Sequence, residues 1–227
     1  MSKQAIVIYG PPGSGKGTQA ELLARRYNFV HFDTGRYIES VVHDPKLQKN
    51  PIIRRERKLF DSGILCTPSW VLKIVRDAVQ KIAKAGYGVI FSGSPRTIFE
   101  ALGDKKNMGL VKTLLRIYGK KNITILKLQV RDKTSIKRNS HRLVCSVCGL
   151  PILSHAKVKR CAFCDGAMRT RSLDKPSVIK VRLIEYRKRT YPIIAEANKI
   201  GIKVKELNGE PLPYRVFANL VRFLKLD

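Results

Sequence analysis

Ala5-Ile6-Val7-Ile8-Tyr9 runs directly into Gly10-Pro11-Pro12-Gly13-Ser14-Gly15-Lys16-Gly17-Thr18. An apolar run feeds a glycine-rich loop that carries a lysine, and a helical pattern follows at once. Ala20, Leu23, Ala24 and Tyr27 fall at i, i+3, i+4 and i+7 of that helix. Strand, loop and helix in this order suit the holding of a polyphosphate. Glycines let backbone N–H groups crowd around phosphate oxygens where a side chain would block them. The lysine brings a point charge toward the outer phosphates, and the helix N-terminus adds its dipole. Gly13, Ser14, Gly15, Lys16, Gly17 and Thr18 are therefore the candidate phosphate-binding residues. A glycine-rich turn with no ligand is the alternative.

Further along the chain, strand candidates at 29–32, 89–92, 123–130 and 202–207 alternate with helical patterns. The clearest helix carries Val71, Ile74, Val75, Ala78, Val79 and Ile82, closed by Gly86 as a C-terminal cap. Alternating strands and helices predict an α/β fold: a five-stranded parallel sheet with helices on both faces. Ligands in such sheets bind at the carboxyl ends of the strands, where the glycine-rich loop also lies. Two stretches do not read as sheet and helix, 34–68 (polar and basic) and 141–174 (with four cysteines), and both read as insertions. The core is then 1–33, 69–140 and 175–227.

The 227 residues suffice for one sizeable core plus such inserts. A hydrophobic content of 44% with 27% charged residues fits a globular protein rather than a membrane or disordered one. The first apolar run is too short for a signal peptide or a membrane span, so a cytoplasmic location is expected. The net charge of +28 is extreme, with dense basic stretches at 54–58, 157–160 and 180–189. Such a field attracts polyanions: nucleotides, RNA or anionic lipid. No aromatic-studded RNA motif accompanies it, so a solvated basic surface is the plainer account.

Cys145-x2-Cys148 and Cys161-x2-Cys164 lie twelve residues apart. Two such knuckles complete a tetrahedral four-sulfur site suited to zinc. Four protein ligands leave no open position, so the metal would be structural. Disulfides and an iron–sulfur centre are the alternatives. Gly149 and Gly166 follow the knuckles where turns of positive φ would use them. A short insert buries too little apolar surface to fold alone, so the metal would fold it. Cys66 has no cysteine partner and reads as a packed small residue.

The hydroxyl after the loop lysine comes one position late, at Thr18 behind Gly17. This form of the loop resembles adenylate kinase and its nucleoside monophosphate kinase relatives. Gly93-Ser94-Pro95-Arg96-Thr97 resembles the family's DGFPRT motif, and the closing Glu206-Leu207-Asn208-Gly209 its last strand and turn. The resemblance covers nearly the entire chain and implies transfer of the ATP γ-phosphoryl group to AMP, giving two ADP, with Mg2+ accompanying ATP. It implies a P-loop core, an NMP-binding insert at 34–68 and a zinc-binding lid at 141–174, in a monomer. Lys16 and the loop would hold ATP. Arg138 and Arg142 match the arginines entering the lid, with Arg142 facing the ATP phosphates, while Arg171 and Arg182 match two that clamp both substrates. Together with Lys16 and Arg96 these form the implied catalytic set. On the AMP side it places Thr34, Cys66, Gly93, Arg96, Glu100, Arg171 and Arg182. Arg36, Arg54 and Arg187 have no match and read as solvated charges.

Four positions depart from the family pattern. Glu39 replaces the arginine for the AMP phosphate, Ser92 the aspartate that organises magnesium, Glu100 the glutamine that reads adenine, and Leu173 the first of two lid aspartates, although Asp174 remains. Losing a charged phosphate contact costs about 1.5–3 kcal/mol, more than tenfold in binding. Arg36 is the neighbouring candidate to replace it. An ionised glutamate only accepts hydrogen bonds, so Glu100 suits guanine's two donors better than adenine's mixed edge. An altered acceptor (GMP, or a broad choice) is one alternative. A weakly active ATP-binding paralogue that binds RNA is another.

Overall fold

In a computed structural model of the chain, residues 3–152 and 158–226 are described. Lys157, in one of the basic stretches, lies outside them. Five parallel strands form the central sheet: β1 (Ala5–Tyr9), β2 (Phe29–Phe32), β3 (Gly88–Phe91), β4 (Ile123–Gln129) and, last in the chain, Val204–Asn208. The spatial order is β2-β3-β1-β4 and then that last strand. The expected sheet is thus present, with strand ends shifted by one or two residues. The fifth strand starts at Val204 because Ile202 is instead tied back by its N–H to the Ala197 carbonyl.

All five side chains of β1 are buried, as a central strand covered on both faces requires. Ala5, Val7 and Tyr9 pack into one apolar cluster, while Ile6 and Ile8 pack into the other. That alternation is the period-two pleat of a strand. Helix α1 (Lys16–Tyr27) covers the second face through Ala20 and Leu23. Helices α4 (Pro68–Lys84), α5 (Ile98–Leu102) and α6 (Leu110–Tyr118) cover the first. α4 ends as expected, with Gly86 just past it at φ +90°.

The 34–68 segment is helical rather than irregular. α2 (Thr34–Val42) starts at Asp33, whose side chain accepts the Arg36 N–H, and α3 (Pro51–Ser62) starts at Asn50, whose side chain accepts the Ile52 N–H. After α7 (Asp132–Ser140), the 141–174 segment holds a small antiparallel sheet. Its strands are β5 (Leu143–Cys145), β6 (Pro151–Ile152) and β7 (Met168–Arg169), with β5 in the middle. The chain then returns through α8 (Pro176–Glu185), one wide helical turn at Tyr186–Thr190, and α9 (Pro192–Lys199). The fifth sheet strand follows as β8 (Val204–Asn208), and α10 (Pro213–Leu224) closes the second apolar cluster with Val216, Leu220 and Val221. No helix among the described residues is long and apolar enough to cross a membrane.

Candidate active site and metal centre

The loop between β1 and α1 is folded as its glycines predict. Gly13 and Gly15 have φ of +77° and +92°, a region L side chains rarely adopt. A Cβ on Gly15 or Gly17 would meet nothing within 4 Å among the described residues, so the loop faces open space of the kind a phosphate chain needs. The Lys16 ammonium lies inside the loop, donating to the carbonyls of Gly10 (2.7 Å) and Pro11 (2.8 Å). Burial pushes its pKa well below the ordinary lysine value. The charges of Arg96, Arg182 and Arg142 push the same way, and the Asp33 carboxylate opposes them.

Three guanidinium groups, those of Arg96, Arg182 and Arg142, act on this lysine electrostatically. Burial pushes Arg182 down to about 9, helped by the positive charges of Arg96, Arg142 and Arg171 and opposed by Asp174. Arg142 forms a two-pronged pair with Asp174 at 2.9 and 2.6 Å. Arg182 also donates to the Leu173 carbonyl at 3.2 Å. The Arg96 Nε donates to the Gly93 carbonyl at 2.7 Å, and the Arg96 carbonyl accepts from Thr190. Lys16, Ser92, Gly93, Arg96 and Arg182 line one cavity. Cations held this close repel one another, so the arrangement favours a polyanion between them.

Arg138 stands apart from this cluster. Its guanidinium donates to the carbonyls of Gly209 and Glu210, both at 2.8 Å, tying α7 to the turn after β8. Arg36 is exposed, yet it is not simply solvated: it donates to the Gly149 carbonyl at 2.9 Å. Glu39 pairs with Arg171 at 2.7 Å. Both contacts join α2 to the 141–174 segment. Arg54 is exposed as expected, and Arg187 pairs with Asp132 on the surface.

On the acceptor side, the Thr34 hydroxyl is buried with no hydrogen-bond partner among the described residues, so it is able to bond a ligand. Glu100 is 1% exposed. One of its oxygens accepts the Arg96 N–H at 2.8 Å and the other accepts the Thr97 hydroxyl at 3.1 Å. Burial raises its pKa against those hydrogen bonds. A carboxylate so engaged is not free to receive guanine's two donors. Cys66 is packed in the core, its thiol 3.6 Å from the Glu56 carbonyl and pushed up to about 12 by burial. Leu173 is likewise buried in the core.

Three relevant side chains were not singled out from the sequence: Asp33, His31 and Glu21. His31 bridges Glu21 (3.1 Å from Nδ1) and Ser92 (2.8 Å from Nε2). A histidine within a strand and an aspartate just past it are common enough that spacing alone does not mark them.

The four cysteine sulfurs all lie within 4.8 Å of one another and are unlinked, an arrangement that favours one shared metal over two disulfides. Cys145 and Cys164 are 3.4 Å apart, and Cys148 and Cys161 are 3.6 Å apart. Sulfurs at ~2.3 Å from a tetrahedral zinc would be separated by about 3.8 Å, so the set fits that ion. Gly149 takes the expected positive φ of +68°, but Gly166 does not; Asp165 takes that role at +55°. Gly166 is required for space instead, because a Cβ there would sit 2.7 Å from the Cys145 sulfur.

Comparison with known proteins agrees with this geometry. A family model described as adenylate kinase matches residues 8–202. A curated adenylate kinase of Methanothrix thermoacetophila is 33% identical over 224 residues, spanning 96% of this chain and 97% of that one. One from Acetivibrio thermocellus is 32% identical over 213 residues, 90% of each chain. One from Clostridium botulinum (strain Langeland) is 30% identical over 227 residues, 98% of this chain and 99% of that one. None of them supports the altered-acceptor or RNA-binding alternatives.

Proposed function

The chain belongs to the adenylate kinase family and is an ATP:AMP phosphotransferase, and we propose how its residues divide that work. The loop amides from Gly13 to Thr18 and Lys16 hold the ATP phosphates, with Arg142 on their outer side. Thr34, Gly93 and Arg96 hold the AMP phosphate. Arg171 and Arg182 neutralise charge on the group in transfer. The cluster of Lys16 with Arg96, Arg142 and Arg182 carries this reading, since phosphoryl transfer is chiefly positioning and charge neutralisation. No general base is needed, because the acceptor phosphate is already an anion at neutral pH. Arg138 orders the turn after β8 beside the ATP side rather than touching the moving phosphate.

The Thr18 hydroxyl, two residues after the loop lysine, would meet the Mg2+ that adenylate kinases use with ATP, an ion that keeps several waters and few protein ligands. That ion supplies charge neutralisation on the phosphates. Zinc, held by Cys145, Cys148, Cys161 and Cys164, supplies the fold of a lid at 141–174 that closes over ATP. The 34–68 helices form the NMP-binding insert. Glu39 holds Arg171 until a substrate phosphate displaces it, which keeps insert and lid together in the absence of nucleotide. Closure excludes water, which would otherwise hydrolyse ATP. Unlinked thiols fit a reducing compartment, and we place the enzyme in the cytoplasm as a monomer.

The test is chromatography of ATP, Mg2+ and one of AMP, GMP, CMP or UMP incubated with the protein. AMP is expected to give ADP at the highest rate. Equal or faster turnover of GMP would overturn the acceptor assignment. Lys16→Met is expected to lower kcat at least ~100-fold.

A further inference from the structure

β2 and β3 pair in parallel register, with Phe32 opposite Phe91. Asp33 and Ser92, the next residue on each, therefore leave the sheet side by side at its carboxyl edge. The two exits are locked together. A Cβ on Gly93 would sit 3.3 Å from the Gly35 amide nitrogen and 3.4 Å from the Arg96 guanidinium.

Ser92 cannot bring a negative charge to the phosphates. Its hydroxyl lies 2.8 Å from His31 Nε2, and His31 Nδ1 lies 3.1 Å from the Glu21 carboxylate. Whichever nitrogens of His31 carry protons, the relay ends in a neutral serine hydroxyl. The carboxylate on the neighbouring strand end is differently placed. Asp33 accepts the Arg36 N–H at 3.2 Å and acts electrostatically on Lys16, the phosphate-binding lysine. Burial works against its charge. The Arg36 N–H and the positive charges of His31, Arg171 and Arg36 outweigh that and hold its carboxyl below the usual range.

We propose that Asp33 supplies, from the end of β2, the carboxylate that orients the water shell of Mg2+–ATP, a task the family pattern gives to the end of β3. The charge has moved one strand sideways within the same edge of the sheet. Asp33 acts through magnesium-bound water and is a positioning residue. The proposal rests on the ATP-binding reading above.

The test uses the full-length protein with the non-hydrolysable analogue AMPPNP, titrated with Mg2+ by calorimetry. Asp33→Asn keeps a side-chain oxygen for the α2 cap and removes the charge. It is expected to weaken Mg2+ binding to the enzyme–AMPPNP complex about tenfold or more, as loss of one charge-assisted hydrogen bond would. The KM for AMP should stay within about twofold. The double variant D33N/S92D should restore most of the Mg2+ affinity, because it returns the charge to the neighbouring strand end. Unchanged Mg2+ affinity in D33N would overturn the proposal. So would a loss that S92D does not repair, which would show that a carboxylate at this edge of the sheet is not what Mg2+ needs. Wild-type protein that does not bind AMPPNP would instead overturn the ATP-binding reading.

Discussion

Glu100 sits behind Arg96 with both carboxylate oxygens turned into the chain. Burial raises its folded-state pKa above the value of an unfolded glutamate, about 4.3. A raised pKa means that the folded state holds its proton more tightly. The associated stability is present below pH ~4.3 and is lost as pH rises through the folded-state value. Glu100→Gln removes that loss. Its Tm is expected to exceed the wild-type value at pH 7.5, with the difference shrinking as pH falls toward 4. A lower Tm at pH 7.5 would show that the two hydrogen bonds matter more than the buried charge. Single residues were legible in the sequence only where a motif fixed their place, as for Lys16, Arg96 and Arg142. Glu39 reads there as a lost phosphate contact; the structure shows the same charge paired with Arg171 from another segment. Spacing along a chain carries no trace of a partner 132 residues away.

At the scale of elements, the β1–loop–α1 unit and the alternating core were legible because burial on both faces leaves an apolar run and helical periodicity leaves an apolar stripe. The helix α3 was not. Its buried positions are Ile53, Glu56 and Phe60, so a carboxylate interrupts the stripe. Glu56 is buried because it accepts both the N–H (2.7 Å) and hydroxyl (2.6 Å) of Thr67, ahead of α4. Glu56→Ala takes from that half-buried N–H its side-chain acceptor and is expected to cost about 2–3 kcal/mol, read by urea denaturation. A cost below about 0.5 kcal/mol would contradict this role. The four-cysteine cluster was legible from its spacing, because metal geometry fixes which residues meet. One zinc per chain is expected by elemental analysis. Cys145→Ser should lower kcat by ~10-fold or more and make 141–174 sensitive to protease while the core keeps its circular dichroism. Full activity after complete metal removal would contradict a metal-folded lid. The contacts from α2 to that lid, Arg36 to Gly149 and Glu39 to Arg171, join two insertions that the sequence presents as separate.

Across the whole molecule, +28 of net charge surrounds a cleft whose own lining is cationic. A field of this sign draws nucleotides toward the site from a distance, and salt screens it over a Debye length of about 8–10 Å. kcat/KM for ATP is expected to fall several-fold between 50 and 500 mM KCl, with kcat much less affected. A salt-independent kcat/KM would leave the surface charge without a part in catalysis. Lys16, Arg96 and Arg182 line that cleft, and the proposed division of roles sets Arg142 and Arg171 along the same path for a phosphoryl group. Calorimetry with diadenosine pentaphosphate, which joins two adenosines through a phosphate chain long enough to occupy both nucleotide sites, tests that arrangement directly. One molecule is expected to bind per chain, at least ten times more tightly than ATP, and Lys16→Met and Arg171→Met should each abolish that advantage. Two molecules per chain, or affinity no better than that of ATP, would show that the cations do not serve one continuous path.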